Sequence, residues 1–268
     1  MLGVPFDKTS SFRQGTAEAP SVIREASYCF EPFMMEYGVD LSTMPFHDMG
    51  DIVEYSPEDM GPSVKKAVRK ILDDEKFPII LGGEHSITPH AVSAYTDELS
   101  VLILDAHLDH RDTYEGMKNS HATASRRVSE IASELLVCGV RSISSDEMEE
   151  GVLPPYLTSF EVNSWDDPVK KISQSIKGNR IYLSVDMDVV DPAYAPGVGN
   201  PEPFGLEPLL LKGLIRELSP RLVGFDIMEV SPPYDPAGIT SNLAARLVYE
   251  ILGSKLSSVS SSPFSRQV

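Results

Sequence analysis

Three groups of acidic residues and histidines follow short apolar runs, and their side chains are of the types that bind divalent metal ions. One group is a histidine after two glycines, the second is Asp-x-His-x-Asp and the third is Asp-x-Asp. The candidate ligands are His85, Asp105, His107, Asp109, Asp186 and Asp188. In an extended segment, residues two positions apart point to the same side, so the members of a group can converge. Two imidazoles and four carboxylates suit two ions, because carboxylates can bridge them.

The ligand types also favour some metals over others. Oxygen-rich ligation with some imidazole favours Mn²⁺ and leaves Fe²⁺, Co²⁺ and Ni²⁺ open, whereas zinc more often takes fewer carboxylates in tetrahedral geometry. Any one of these aspartates alone would be explained more simply as a cap of a turn or helix. The combination favours metal binding, because four acids gathered on two apolar strands would repel one another without cations.

The apolar runs predict the strands that position these groups. They are nearly continuous, which is typical of parallel strands buried on both faces, and residues 2–4 read as the end of a short first strand. The other predicted strands are 77–81, 99–104, 134–140, 180–185 and 222–227. Helical patterns open at residue 19 and cover 57–76, 120–133, 168–176, 207–218 and 239–252. This alternation predicts an α/β fold with helices on both faces, whose site lies at the carboxyl ends of the strands.

Composition narrows the class of protein. The chain has 268 residues, of which 41% are hydrophobic and 24% charged, as in soluble globular proteins. We expect one domain over residues 1–254 and a Ser-rich, mobile tail over 255–268. No apolar stretch is long enough to cross a bilayer, the first residues do not resemble a secretory signal, and two isolated cysteines predict no disulfide framework. These features predict a cytoplasmic location.

The net charge of −17 makes nucleic acid an unexpected partner, because phosphate binding needs a basic surface. An acidic surface instead attracts cations, including cationic small molecules. Taken alone, the charge is explained better by simple solubility than by such attraction, and part of the excess is expected to hold metal.

Five motifs together resemble the ureohydrolase family, which includes arginases and agmatinases, from the first loop to near the last helix. They are Gly3-Val4-Pro5-Phe6-Asp7, Gly82-Gly83-Glu84-His85-Ser86, Asp105-Ala106-His107-Leu108-Asp109, Ser184-Val185-Asp186-Met187-Asp188-Val189-Val190-Asp191-Pro192 and Asp226-Ile227-Met228-Glu229-Val230-Ser231-Pro232. The resemblance implies a three-layer α/β/α fold around an eight-stranded, mostly parallel sheet. It also implies assembly as homotrimers or homohexamers.

The resemblance implies a role for each metal ligand. Asp105 and Asp186 would be the bridging carboxylates of two Mn²⁺ ions per subunit. The remaining ligands divide into His85 with Asp109 for one ion and His107 with Asp188 for the other. Asp109 would also orient a metal-bridging hydroxide, which attacks the guanidinium carbon of the substrate and yields urea and a primary amine.

Two further residues match the catalytic set of the family. His121 would carry a proton to the leaving amine, and Glu229 would pair with the guanidinium. Asp226 would support the ligands from behind. Without the resemblance, His121 reads equally well as a polar residue in the first turn of a helix, and Glu229 as an ordinary acid at a strand end.

The loop after the second ligand group bears on the substrate. It lacks the Asn and the Ser/Thr-rich run of arginases. It carries Arg111-Asp112-x-Tyr114-x-Gly116, Ser120-His121-Ala122 and Arg126-Arg127, which resemble archaeal and bacterial agmatinases. Agmatine, which would give urea and putrescine, is therefore the expected substrate. Arginine and aminopropylagmatine stay open, and so does guanidinobutyrate, since Arg111 could pair with a carboxylate or with Asp112 or another loop acid.

Two alternatives come from other classes. The wider fold also includes single-zinc deacetylases, but these would lack the paired Asp186-x-Asp188. A metal-binding protein without catalysis is the other alternative, since a motif does not prove turnover. No ligand position is substituted, which argues against an inactive site.

Overall fold

A seven-stranded parallel sheet forms the centre of the computed structural model, which describes residues 1–53 and 56–260. Its strands are β1 (Leu2–Val4), β4 (Ile79–Gly82), β5 (Ser100–Leu104), β6 (Glu134–Val140), β7 (Tyr156–Thr158), β8 (Ile181–Asp186) and β9 (Leu222–Met228). The spatial order is β1-β4-β9-β8-β5-β6-β7. A separate antiparallel hairpin consists of β2 (Phe33–Met34) and β3 (Val39–Asp40).

Helices cover both faces of the sheet. They are α1 (Ala19–Ser27), α2 (Pro57–Asp73), α3 (Thr88–Val92), α4 (Ala124–Ser129), α5 (Ser145–Glu150), α6 (Ser159–Asn163), α7 (Pro168–Ser175), α8 (Pro208–Leu218) and α9 (Ile239–Ser260). Residues of α1, α7, α8 and α9 belong to one buried apolar cluster, and residues of α2, α3 and α4 to another. In β4, Ile79 and Leu81 join the first cluster and Ile80 the second, because successive strand residues point to opposite faces. The expected α/β/α layering is confirmed.

The number of strands differs from the expected eight. Residues 49–52 run beside β1, where the Gly3 N–H donates to the Gly50 carbonyl and the Ile52 N–H to the Gly3 carbonyl, both at 2.9 Å. This pairing is a single bridge between Gly3 and Asp51. Gly50 has φ of +74°, which bends the segment away from an extended course. The position at the edge of the sheet beside β1 is therefore occupied by this single bridge and not by an eighth strand. Within the described residues the sheet has seven strands.

The C-terminal helix extends past the predicted domain end. Helix α9 runs to Ser260, so residues 255–260 of the predicted Ser-rich tail are helical. The Lys255 amine donates to the carbonyls of Ser219 and Leu222 at 2.7 and 2.6 Å, which ties the last turns to the domain. Residues 261–268 of the predicted tail lie outside the described residues. Across the described chain, the helices are too short or too polar to span a membrane.

Candidate metal centre and active site

The four central strands bring the predicted groups to one edge of the sheet. His85 follows β4, Asp105 follows β5, Asp186 ends β8 and Glu229 follows β9, and these strands are neighbours in the order β4-β9-β8-β5. All run parallel, so their carboxyl ends open on the same side. This is the edge at which sites form in open parallel sheets.

One cluster of possible metal ligands surrounds the imidazole of His85. Its Nδ1 lies 3.0 Å from Oδ2 of Asp105, 3.2 Å from Oδ2 of Asp186 and 3.8 Å from Oδ2 of Asp109. The imidazole is almost fully buried. One nitrogen and three carboxylate oxygens therefore face a common point.

A second cluster surrounds His107 and shares one acid with the first. The His107 Nδ1 lies 2.9 Å from Oδ2 of Asp188 and 3.7 Å from Oδ1 of Asp105. Asp105 thus presents Oδ2 to His85 and Oδ1 to His107. The donor atoms of His85, Asp105 and Asp109, and those of Asp105, His107 and Asp188, each lie within 4.8 Å of one another. A carboxylate shared between two donor groups is the arrangement of a binuclear centre.

The chemistry of the donor set fits divalent cations. His85 Nδ1 is buried and has no hydrogen-bond partner, although it faces three carboxylates. Burial and the neighbouring Asp105 raise the pKa of Asp109 well above its usual range. The pKa of Asp186 is raised in the same way by burial and by the charge of Asp188. Gathering these carboxylates in ionised form is therefore unfavourable unless positive charge joins them.

The acids converge through turns more than through extended strand. Asp105 accepts the N–H of His107 at 2.6 Å, and Asp186 accepts the N–H of Asp188 at 2.9 Å. Asp188 lies in a 3-10 turn, and Asp109 has φ of +51° in the left-handed region. The expected alternation of an extended segment is therefore the wrong reason for their convergence. Short polar side chains cap tight turns, and these caps aim the carboxylates.

A chain of hydroxyls connects His85 to Asp226. The His85 Nε2 lies 3.1 Å from Ser184 Oγ, which lies 3.2 Å from Thr88 Oγ1. Thr88 donates to Asp226 Oδ2 at 2.9 Å, and the Tyr182 hydroxyl donates to the same oxygen at 2.7 Å. When the Ser184 hydroxyl accepts a hydrogen bond from the His85 Nε2–H, Nδ1 carries no proton and its lone pair faces the carboxylates. Asp226 therefore lies behind the cluster, where a supporting residue is expected.

Glu229 lies at the same edge in a strained conformation. Its φ is +64°, which few residues other than glycine adopt. Its N–H donates to the Gly83 carbonyl at 2.9 Å, and its Oε1 accepts the N–H of His85 at 2.8 Å. Burial and the nearby Glu84 raise its pKa to about 8. Backbone strain of this kind often marks functional positions, because the surrounding structure must hold it in place.

His121 is held by the N-terminal loop. Its N–H donates to Thr9 Oγ1 at 3.0 Å, its Nδ1 lies 3.4 Å from that oxygen, and its Nε2 lies 3.3 Å from Ser11 Oγ. Thr9 in turn donates its N–H and its hydroxyl to the buried carboxylate of Glu84, at 2.7 and 2.6 Å. Burial lowers the pKa of His121 to about 4, so the imidazole is neutral near pH 7. The positioning contact of Glu84 was not predicted, because no local pattern links residues 9 and 84.

A cavity of about 250 Å³ opens over the two clusters and is lined by His121 among others. Its floor, as the term is used below, comprises the lining residues His107, Asp109, Asp186, Asp188 and Glu229 together with His85 and Asp105, which contact them in the two clusters. Its mouth comprises Phe12, Arg13, Arg111, Tyr114, Ile143 and Ser144. The mouth residues are exposed or half-buried, whereas three of the floor acids are at most 12% exposed in their side chains.

Three residues near the cavity bear on substrate and ligand positioning. Asp112 forms an ion pair with Arg127 at 2.7 Å, and within the described residues it forms none with Arg111. Arg111 keeps its guanidinium at the mouth. The amide nitrogen of Asn200 lies 2.9 Å from His107 Nε2, a contact that no sequence pattern predicted.

Two acid-rich donor clusters beneath a cavity, at the carboxyl edge of a parallel sheet, define the class of metal-dependent hydrolases. The arginase family model matches residues 1–253. A solved agmatine ureohydrolase of Thermoplasma volcanium is 41% identical, with a TM-score of 0.93, and the match covers 97% of this chain and 90% of that chain.

Two other relatives are similar over nearly the same length. The agmatinase of Pyrococcus horikoshii and the N(1)-aminopropylagmatine ureohydrolase of Thermococcus kodakarensis are each 33% identical over 265 residues. The matches cover 94% of this chain and 90% and 89% of those proteins. The chain therefore belongs to the arginase family and is a metal-dependent amidinohydrolase.

Proposed function

We propose that this protein is a binuclear manganese hydrolase that cleaves agmatine to urea and putrescine. The observation that carries the proposal is Asp105, whose two oxygens face two separate imidazoles on the floor of one cavity. The donor set of His85, Asp105, Asp109 and Asp186 would hold one ion, and that of His107, Asp105, Asp188 and Asp186 the other. Their oxygen-rich composition favours Mn²⁺.

The ions, when bound, would supply Lewis acidity that lowers the pKa of water at this site. The chain supplies the remaining steps. Glu229 pairs with the guanidinium of the substrate: the approaching cation favours the ionised form of this acid, and a carboxylate and a guanidinium can form two parallel hydrogen bonds. Its Oε1 is already engaged by the His85 N–H, which fixes the carboxylate before substrate arrives. Asp109 accepts a hydrogen bond from the attacking water and orients it toward the guanidinium carbon.

His121 transfers a proton that the reaction must move. The water oxygen forms a bond to the guanidinium carbon, and the bond from that carbon to the alkyl-substituted nitrogen breaks. As its oxygen becomes the carbonyl oxygen of urea, the water loses two protons: one goes to the leaving nitrogen, and the other protonates the released amine. Because its pKa is lowered to about 4, His121 is neutral and can accept a proton from the water and pass it on. The products are urea and a primary amine.

The choice of agmatine is supported by the relatives and by the chain's acidity. The solved neighbour from Thermoplasma volcanium is an agmatine ureohydrolase, and the relative from Pyrococcus horikoshii is an agmatinase. Agmatine carries two positive charges, and the net charge of −17 attracts such a substrate. The relative from Thermococcus kodakarensis acts on N(1)-aminopropylagmatine, which keeps that longer cation among the substrates to test.

A second candidate substrate class, the guanidino acids, is favoured by the cavity mouth. Arg111 and Arg13 both line it, and the ion pair of Arg111 Nη2 with Glu147 Oε2 is long, at 4.0 Å. A carboxylate at the distal end of the substrate would pair with such a cation. Guanidinobutyrate has that group and agmatine does not.

Urea release from the Mn²⁺-reconstituted protein tests the proposal. Agmatine, arginine, guanidinobutyrate and aminopropylagmatine would be compared in parallel, with Asp109→Asn as the control. We expect rapid release from agmatine, little from arginine and loss of release in the control. Preference for guanidinobutyrate would replace the substrate but keep the reaction, and no urea from any of them with two ions bound would contradict the proposed reaction.

The proposal includes an assembly and a location. We propose a homotrimer or homohexamer in the cytoplasm, without nucleic-acid or membrane partners. Light scattering of the purified protein measures the mass of the assembly directly, and a monomer would contradict this part of the proposal.

A further inference from the structure

The backbone at Asp109 needs support from outside its own loop. Its φ of +51° lies in the left-handed region, which costs a residue other than glycine about 1 kcal/mol or more. Its carbonyl accepts the N–H groups of Ser125 and Arg126 at 3.1 and 3.4 Å. These two hydrogen bonds fix the carbonyl of Asp109. To keep the left-handed conformation, the N–H of the next residue must be fixed as well.

A buried carboxylate holds that following peptide. The N–H of His110 donates to Oε1 of Glu147 at 2.7 Å, and the side chain of Glu147 is only 3% exposed. The other oxygen, Oε2, accepts the N–H and the hydroxyl of Ser144, both at 2.9 Å, in the capping box of α5. Arg111 Nη2 lies 4.0 Å from the same oxygen. Glu147 thus accepts a hydrogen bond from His110, the residue after the candidate ligand Asp109, and lies beside Arg111 at the cavity mouth.

We propose that Glu147 is a positioning residue that holds Asp109 in its ligand conformation. The inference rests on the proposed function in one respect, namely the role of Asp109 as a metal ligand. Hydrogen bonds from N–H groups to a carboxylate are about twice as strong as those between neutral groups. Without the carboxylate, the buried N–H of His110 would lack a partner, and the left-handed turn would relax.

The chain contains a matched control for this residue. Glu161 forms the same capping box at α6, where its Oε2 accepts the N–H and hydroxyl of Thr158 at 2.9 and 2.7 Å. Glu161 is exposed, and within the described part of the chain its carboxylate accepts hydrogen bonds from Thr158 alone. Loss of either glutamate removes a helix cap, but only loss of Glu147 removes a contact to the metal loop.

The experiment measures metal binding in four variants, Glu147→Ala, Glu147→Gln, Glu161→Ala and Glu161→Gln. Each is dialysed against buffered free Mn²⁺, and the metal bound per chain is determined by elemental analysis. Thermal unfolding of the metal-free proteins is measured in parallel. We expect Glu147→Ala to require about 10- to 100-fold more free Mn²⁺ to bind the ion that Asp109 would help to hold, the scale for losing a group that orients a ligand. Glu147→Gln, which keeps one carbonyl acceptor, is expected to lie between it and the wild type.

The control separates this role from simple loss of stability. Both Glu161 variants are expected to bind Mn²⁺ like the wild type, even where their unfolding temperature falls as far as that of Glu147→Ala. Equal Mn²⁺ binding by Glu147→Ala and Glu161→Ala would overturn the inference, as would binding of fewer than two ions by the wild type. Wild-type protein that binds two ions but releases no urea would contradict the proposed function alone, because the metal measurement still decides the role of Glu147.

Discussion

The floor and the mouth of the cavity are built in different ways. On the floor, acids and imidazoles are mostly buried, and the donor atoms that follow β4, β5 and β8 lie within a few ångströms of each other. At the mouth, exposed or half-buried side chains come from loops, and their charged members are cations, Arg13 and Arg111. The floor therefore determines the type of reaction, and the mouth determines which guanidino compound reaches it.

Changes to the floor should abolish the reaction for every substrate, whereas changes to the mouth should alter the ranking of substrates. This expectation follows from where each region contacts the substrate. The guanidinium is common to all candidate substrates and meets the floor, while the distal group differs among them and meets the mouth. We therefore expect the changes in activity to be largest for substitutions at the floor and smallest for those at the mouth.

The largest effect is expected for Asp105→Asn, because this carboxylate is shared by both donor clusters. Urea release should fall on the order of 10⁴-fold, the scale for losing one member of a catalytic unit, and the bound metal should fall with it. Asp97→Asn is the control, since Asp97 forms an exposed pair with Arg180 at 3.4 Å. Full activity in Asp105→Asn would remove the basis of the binuclear centre.

His121→Asn should lower kcat by about 10²- to 10⁴-fold, the range for losing a group that transfers a proton. Metal content should stay at the wild-type level, because His121 contacts Thr9 and Ser11 and none of the candidate ligands by hydrogen bond within the described chain. His90→Asn serves as the control for replacing a half-buried histidine elsewhere. A variant at His121 that loses metal but keeps kcat per bound metal would assign the residue a structural role.

Glu229→Gln should lower kcat/KM by about 10²- to 10³-fold, the scale for losing one partner of a desolvated charge pair. The loss should be similar for all guanidino substrates, because each presents the same cation to this residue. Steady-state kinetics with agmatine and guanidinobutyrate measures it. If only one of the two substrates is affected, Glu229 belongs with the mouth in function and the division drawn above is wrong.

The smallest effect is expected for Arg111→Gln. Removing a like charge from a half-exposed mouth should raise kcat/KM for agmatine by about fivefold, corresponding to about 1 kcal/mol. The same change should lower kcat/KM for guanidinobutyrate. Arg180→Gln, at the exposed pair with Asp97, is the control. A large fall for agmatine would show that Arg111 supports the dicationic substrate through its loop rather than repelling it.

The sequence predicted the floor better than the mouth for a physical reason. Buried parallel strands leave continuous apolar runs, and the acids that follow them must meet at one edge of the sheet. The positions of Asp105, His107 and Asp186 follow from this rule. The left-handed φ of Asp109 does not, because it depends on contacts from α4 and α5 that are distant in the sequence.

Contacts between distant loops escaped prediction in general. The hydrogen bond from Thr9 to Glu84 joins residues 75 positions apart, and the contact between Asn200 and His107 joins residues 93 positions apart. Neither pair leaves a local pattern. The capping box of Ser144 and Glu147 does leave one, a serine followed three residues later by a glutamate, and that signal was present in the sequence. Helix α9 has eight residues more than the predicted helix, and they are tied to the domain by Lys255 contacts that composition alone does not indicate.

The most direct test of the central claim is a titration of the metal-free protein with Mn²⁺, in which bound metal and urea release from agmatine are measured on the same samples. The two donor clusters share Asp105, so one ion should leave the floor incomplete. The account predicts little urea with one ion per chain and a steep rise as the second binds. Full urea release with a single ion per chain, or none with two, would contradict it.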